Sequence, residues 1–363
     1  MADQPRHRSP FKFLDSYTRE DRPVFFGRDA EIEELYERVF ESNLILLYGA
    51  SGTGKTSLIN CGLANQFETT EWLPVSVRRA DHLLDSLDQS IRQQAVKPMD
   101  ASWTLAQKTR SLYLDYFKTV YLIFDQFEEL FIFGGEEEQH DFFESIAGLL
   151  AAGEQCKVIL SLREEYLAFL SNFELVLPNL FENRQRVERM SRGNLQEVIL
   201  QTARAFDIEL ADGAGLANRI IDNIKDPRQG VELANLQIYL DKLYRNDLER
   251  RGEVQRPIRF DPALLESTRQ LEDVLSDFLE EQLALVEKEL KDKGLQQEGI
   301  AMDVLFALVT EEGTKKNLPA AKLQDLVVNR RKVPPAIIAY CIRRFNELRI
   351  LRIMGEEPTK NVV

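Results

Sequence analysis

The sequence predicts an α/β fold: a three-layer core in which a mostly parallel sheet is covered by helices on both faces, followed by an all-α segment and a winged-helix-like segment. Three observations carry this expectation. Apolar, strand-like runs alternate with amphipathic helical runs over residues 10–190. A glycine-rich octamer joins the first of those apolar runs to a helical one. Strand signals almost vanish from Ser191 onward.

The clearest strands fall at residues 43–48, 72–77, 120–124 and 157–162, with a weaker one at 184–190. Their continuous apolar character suits strands buried on both faces. Residues 29–40, 104–117 and 139–150 between them carry helical periodicity. Farther on, residues 194–206, 232–250 and 271–293 read as helices of a second domain. Helices at 300–310, 320–328 and 335–348, followed by an extended 349–354, outline a winged helix. The expected domains are therefore a nucleotide-binding domain over 1–190, a helical domain over 191–296 and a winged-helix-like domain over 297–363.

Composition excludes several classes. The 363 residues carry a formal charge of −14, with a pI near 5.0, which argues against a chain whose main business is coating nucleic acid or an acidic membrane. The three cysteines, Cys61, Cys156 and Cys341, have neither paired nor metal-ligand spacing, so no disulfide framework or zinc site is indicated. The N-terminal stretch lacks the apolar run of a signal peptide, and no apolar run approaches the ~20 residues that span a bilayer. The expected location is the cytoplasm, with no membrane partner.

The strongest chemical signal is Gly49-Ala50-Ser51-Gly52-Thr53-Gly54-Lys55-Thr56, which fits G-x-x-x-x-G-K-[ST] without a gap. It follows a strand and opens a helix expected at 56–66, as phosphate binding requires. Glycines let the backbone N–H groups curl toward phosphate oxygens, and the helix N-terminus adds partial positive charge. Nucleotide contacts are expected along Gly49, Ser51, Gly52, Thr53, Gly54, Lys55, Thr56 and Ser57, with Lys55 bridging the β- and γ-phosphates and Thr56 ligating Mg²⁺. At ordinary residue usage such an octamer arises by chance in only ~1% of chains this long, so a coincidental turn is rejected.

A P-loop needs an acidic residue at the end of another strand to hold the metal. Asp125 ends the run at 120–124, where ligands of open α/β sheets gather. Hydrolysis also needs a group to orient water. Gln126 follows Asp125 and cannot take a proton, which leaves Glu128 or Glu129 as the base. Packing of a short helix with merely solvated carboxylates is the bland alternative for both. Arg163 ends the run at 157–162 and is read as a γ-phosphate sensor, against the alternative of an ion pair with Glu164 or Glu165. Arg184 and Arg186 are weaker candidates for the same role and more simply pair with acids.

Further stretches resemble one family. Ser9-Pro10-Phe11-Lys12-Phe13-Leu14-Asp15-Ser16-Tyr17, then Phe25-Phe26-Gly27-Arg28-Asp29-Ala30-Glu31, then the acidic strand end with Leu162-Arg163-Glu164-Glu165, are together similar to the bacterial STAND ATPases. These are signal-transducing ATPases related to NACHT and NB-ARC proteins, with an AAA+-like core. The resemblance implies that Phe26, Gly27 and Arg28 lie at the adenine and that ATP or ADP with Mg²⁺ is the cofactor. Two departures stand out: Ala234 replaces a proline that relatives often place near the base, and the histidine that touches the β-phosphate in relatives has no counterpart. The lack of effector or sensor modules implies either a piece of a longer protein or a minimal member that signals through a separate partner.

The leading expectation is an ATP/ADP switch that self-associates in its ATP form and hydrolyses ATP slowly. One alternative is a DNA-associated ATPase of the AAA+ initiator type, supported by the basic window Arg330, Arg331, Lys332, Arg343, Arg344, Arg349 and Arg352. However, Ala336, Ile337, Ile338 and Ala339, at the start of the would-be recognition helix, look like core, which favours an acidic protein partner or an intramolecular contact. The other alternative is a scaffold that binds nucleotide without turning it over.

Overall fold

The computed structural model describes residues 9–12, 15–80, 82–226, 230–252, 256–268, 271–295, 299–309, 318–348, 350–351, 353–354 and 361–362. By internal contacts the chain divides into two compact units, Met1–Arg78 with Leu87–Val274, and Arg79–Ser86 with Leu275–Val363.

The first unit is built on a five-stranded parallel sheet of β1 (Leu44–Gly49), β2 (Trp72–Val77), β3 (Thr119–Asp125), β4 (Cys156–Arg163) and β5 (Arg184–Arg186), in the order β2-β3-β4-β1-β5. The expected strands are all present, and Leu44, Ile45, Leu46 and Leu47 of β1 are buried on both faces, as their unbroken apolar run predicts. Around the sheet run α1 (Asp29–Glu41), α2 (Lys55–Ser57), α3 (Leu83–Gln94, in this unit from Leu87), α4 (Leu105–Tyr116), α5 (Glu129–Phe133), α6 (Glu136–Ala151) and α7 (Leu167–Leu170). Thr104 caps α4: its hydroxyl accepts from the Gln107 amide, and the Gln107 side chain accepts from the Thr104 amide.

The helix after the P-loop differs from the regular one expected. Only Lys55–Ser57 is α-helical; Leu58–Gly62 widens into a π turn and Leu63–Asn65 tightens into a 3₁₀ turn. A Cβ at Gly62 would lie 2.6 Å from Ile32 of α1, so the widened turn sits where α1 packs against bare backbone. Ile32, Leu35 and Val39 of α1 join Ile45, Leu47, Leu58 and Ile59 in one core beneath the sheet.

The remainder of the first unit holds α8 (Arg192–Ala205), α9 (Ala214–Ile224), α10 (Leu233–Arg251) and α11 (Pro262–Ser267). This part is not purely helical: β6 (Ile208–Leu210) and β7 (Ile258–Phe260) form a short parallel pair. Strands of three residues are too short to leave a periodic signal, which is why the sequence reading missed them. Asp247 of α10 is fully buried and accepts hydrogen bonds from Arg250, Arg256 and the Arg259 amide, tying α10 to β7.

The second unit contains α12 (Leu271–Asp292, in this unit from Leu275), α13 (Ile300–Phe306), α14 (Ala320–Arg331) and α15 (Pro335–Glu347). A three-stranded antiparallel sheet of β8 (Leu318–Pro319), β9 (Ile353–Met354) and β10 (Asn361–Val362) accompanies them, in the order β8-β10-β9. Leu283, Val286 and Leu290 of α12 share one core with Val304, Leu323, Ile338 and Phe345. Ile337 and Ile338 are buried there, as their apolar character predicted, whereas Ala336 and Ala339, also read as core, are exposed because they fall on the other face of α15. Within the basic window Arg331 pairs with Asp303, while Arg344 donates to Glu289 at 2.8 and 2.9 Å. Phe13, Leu14, Thr310, Arg349 and Arg352 lie outside the described residues. Among the described residues no helix is long and apolar enough to cross a membrane.

Candidate functional site

Sheet order and register assemble the site. Because β4 runs between β1 and β3, the last residue of β1 pairs with the last of β4, Gly49 with Arg163, while Asp125 ends β3 beside Ser161. The P-loop, Arg163 and Asp125 thus meet along one edge, the carboxyl ends of parallel strands. A cavity of about 270 Å³ opens there, and Ser51, Gly52, Gly54, Lys55, Thr56 and Ser57 of the P-loop are among the residues that line it.

Gly49 itself lies behind the cavity. A Cβ there would come 2.3 Å from the Val187 carbonyl oxygen, so any larger residue would force apart the strand end and the chain leaving β5. Thr53 is also turned away: it is buried, and its hydroxyl donates to the Ala50 carbonyl at 3.0 Å, bracing the loop from within.

Lys55 Nζ donates to the carbonyls of Gly49 (2.8 Å) and Ala50 (2.9 Å). Burial pulls its pKa below the ordinary lysine value, an effect the carboxylates of Glu128 and Asp125 oppose. Thr56 and Asp125, the expected metal pair, are in direct contact: the hydroxyl donates to the carboxylate at 3.0 and 3.1 Å. Ser161 donates to the same carboxylate at 3.4 Å, and Arg78 at 2.5 Å. A hydroxyl beside a carboxylate is a hard-oxygen donor set of the kind Mg²⁺ takes.

Arg163 pairs with Glu128 rather than with Glu164 or Glu165. Its Nε lies 3.1 Å from one carboxylate oxygen of Glu128, and its backbone N–H donates to the other at 3.2 Å. Burial raises the Glu128 pKa above the usual carboxylate value, and Arg163 opposes that rise. Gln126 turns the chain after β3 with a left-handed φ of 59°, and the Phe127 amide is anchored on the Ser161 carbonyl at 2.8 Å. Gln126 and Glu128 line the cavity; Glu129, buried at the start of α5, does not. Successive helical residues point about 100° apart, which separates two neighbouring glutamates that the sequence left equivalent.

The far side of the cavity is largely apolar. Tyr17, Val24, Phe25 and Phe26 line it from the N-terminal segment, Met190 and Val198 from the next part of the chain, and Leu233, Ala234, Leu236 and Gln237 from α10. The Tyr17 ring lies 5.3 Å from that of Phe25, and its amide donates to the Ser57 hydroxyl at 3.0 Å. Burial, followed by the Asp21 carboxylate, pushes the Tyr17 phenol up to about 12.

Of the two residues expected beside Phe26 at the base, Arg28 lines the cavity and Gly27 does not. A Cβ on Gly27 would meet Val198 Cγ2 at 2.9 Å and the Asn194 carbonyl oxygen at 3.0 Å, so the close approach this glycine permits is to α8. Arg28 is buried; its guanidinium donates to the carbonyls of Thr53 (2.7 Å) and Glu188 (2.9 Å) and pairs with Glu31, clamping the P-loop at the cavity wall. Arg186 pairs with Glu164 at 2.9 Å, as its bland reading expected, and Arg184 is exposed.

The sequence reading missed Arg78, the strongest polar partner of Asp125. The signal was present: an arginine directly follows the strand that pairs with β3, and the register Val77 to Phe124 puts the next residues side by side.

A sequence profile of the novel STAND NTPase 1 family matches residues 10–357. The chain belongs to that family. As a member it is a P-loop NTPase, in agreement with the loop, the acidic strand end and the sheet described above. No curated protein matches it. Among solved structures it is similar to a Walker-type ATPase of Pyrococcus abyssi, at 15% identity over 97% of this chain and 96% of that one, with a TM-score of 0.48. It is also similar to the Aeropyrum pernix ORC1 protein in complex with DNA, at 16% identity over 94% and 89% of the two chains, with a TM-score of 0.49. For the Aeropyrum pernix ORC2 protein, solved as ADPNP-ADP complexes, the values are 13%, 96%, 92% and 0.50. At these identities the likeness concerns the fold alone.

Proposed function

We propose that this NTPase is an ATP/ADP-operated conformational and oligomerisation switch of the signal-transduction type, with slow Mg²⁺-dependent hydrolysis. One observation carries the reading: a single cavity is bounded by the phosphate machinery on one side and by Leu233, Ala234 and Gln237 of α10 on the other. A nucleotide in it touches both, so a difference in affinity between ATP and ADP forms biases the position of α10.

In this reading Gly52, Gly54 and the α2 N-terminus hold the phosphates, and Lys55 turns from its loop carbonyls to the β- and γ-oxygens. Thr56 and Asp125 hold Mg²⁺, whose charge offsets that of the phosphates. Glu128 orients the attacking water as general base while Arg163 senses the γ-phosphate. Phe26, Arg28 and the apolar wall take the base, and Gly27 lets this segment pack closely on α8. Three functional domains, 1–190, 191–296 and 297–363, remain our division of the chain; helices α13 to α15 with the β8-β10-β9 sheet support a winged-helix reading of the last.

The pairing of Arg331 with Asp303 and of Arg344 with Glu289 within the chain favours the intramolecular-contact reading of this region over DNA. Effector and sensor functions fall to separate or additional modules, and the working compartment is the cytoplasm. The test is to identify the co-purifying nucleotide, exchange it for ATP with Mg²⁺, and follow light scattering and phosphate release on one sample. Slow turnover with growth in mass supports the switch. Bound ATP with neither would leave a nucleotide-binding scaffold.

A further inference from the structure

We infer that Arg78 is a cation latch on the metal site: its guanidinium and a divalent ion compete for the Asp125 carboxylate, and this competition sets how much metal the NTPase needs. The inference rests on the proposed metal role of Asp125. Three observations support it.

The first is register. β2 ends at Val77, paired with Phe124, so the next residue of each strand, Arg78 and Asp125, emerges at the same level of the sheet edge. The second is how fully the carboxylate is engaged. Arg78 donates to Oδ2 at 2.5 Å, Thr56 lies 3.0 and 3.1 Å from the two oxygens, and Ser161 reaches Oδ1 at 3.4 Å. A divalent ion held by Thr56 and Asp125 requires that carboxylate, and a guanidinium against it repels the incoming charge. The third is the asymmetry of burial. The Arg78 side chain is 46% exposed and Asp125 only 10%. The guanidinium can exchange its partner for water at small cost, whereas the carboxylate is fixed at the strand end. Exchange at Asp125 therefore proceeds by departure of Arg78.

Arg78 is on this account a positioning residue, not a catalytic one. It holds the carboxylate in place and raises the concentration at which a divalent ion takes over. The readout is Mn²⁺ affinity in the presence of ADP, measured by the loss of the free-ion electron paramagnetic resonance signal. Arg78→Gln should lower the half-saturating Mn²⁺ concentration roughly 5-fold, the worth of a half-exposed ion pair. Arg78→Lys keeps the charge and should stay within about 2-fold of the parent chain. In an Asp125→Asn background the Arg78→Gln change should have no further effect, since the group competed for is gone.

Unchanged or weaker Mn²⁺ binding in Arg78→Gln, with circular dichroism matching the parent, would overturn the latch while leaving the metal role of Asp125 intact. Parent-like Mn²⁺ affinity in Asp125→Asn alone would instead reject the metal role, and the latch with it.

Discussion

Arg163 grips Glu128 twice, through its side-chain Nε at 3.1 Å and through its own backbone amide at 3.2 Å. The proposed phosphate sensor and the proposed base are thus one unit, and a γ-phosphate that draws the Arg163 side chain away leaves Glu128 held by the backbone alone. Glu128→Gln keeps the side-chain shape and removes the base, so phosphate release should fall about 10²–10⁴-fold while ATP binding survives. Glu129→Gln, outside the cavity, should keep turnover near that of the parent. The double change should behave like Glu128→Gln alone, and if assembly needs only this chain it should accumulate as ATP-bound oligomers. Single-mutant phosphate release with the reverse ranking would transfer the role to Glu129.

The same burial gives a pH dependence. Glu128 lies above its ordinary carboxylate pKa of 4.5, chiefly through desolvation, and must be ionised to accept a proton. Turnover should therefore rise with pH along an acidic limb displaced above 4.5, and the limb should vanish in Glu128→Gln. For stability the sign is opposite. A raised folded-state pKa means that the protonated form favours the fold at low pH, and that contribution is lost as pH rises through the folded value. A pH–rate profile with an unshifted limb would argue against Glu128 as the base.

Lys55→Ala removes the mobile cation of the loop and leaves the backbone cradle, so ATP affinity should fall severely in a protein that still folds. Asp125→Asn should retain much of the base and ribose binding and lose the part that depends on Mg²⁺. Titrations of a fluorescent ATP analogue with Mg²⁺ and with a chelator separate the two. Equal losses under both conditions for Asp125→Asn would remove it from the metal site.

Arg28 both lines the cavity and braces the P-loop, through bonds to the Thr53 and Glu188 carbonyls. Arg28→Ala leaves the buried Thr53 carbonyl unpaired and should destabilise the first unit by about 1–3 kcal/mol. Arg28→Lys should recover only part of this, because a single ammonium cannot reproduce the guanidinium fork. Denaturant unfolding gives the stability change, and nucleotide affinity should decline in parallel.

Asp247 provides an acid-sensitive anchor. Burial opposes its ionisation, but hydrogen bonds from Arg256, the Arg259 amide and Arg250 outweigh it and hold its pKa below the ordinary value. A depressed folded pKa contributes stability above the unfolded value, which is lost as pH falls below about 3.9 toward the folded one. Asp247→Ala should cost about 2 kcal/mol at neutral pH, less than for a wholly buried pair because Arg250 and Arg256 are about one-third exposed and can rehydrate. The variant should also have a flatter stability profile in acid, checked by urea midpoints between pH 3 and pH 6.

The sequence by itself determined the parts that depend on neighbours along the chain. Unbroken apolar runs marked the parallel strands, the octamer from Gly49 to Thr56 marked the phosphate loop, and Asp125 declared itself by ending a strand. Tertiary structure decided what depends on sheet order and rotation about an axis. The position of β4 between β1 and β3 aligns Arg163 with Gly49, Glu128 reaches Arg163 across 35 residues of sequence, and Glu129 points elsewhere. It also packed Gly27 against α8, bonded Arg28 to the P-loop while keeping it in the cavity wall, and set Arg78 on Asp125. Local periodicity fixes which residues form an element and which of them face inward. Which residues meet across elements follows from register and packing, which a single chain's local pattern does not encode.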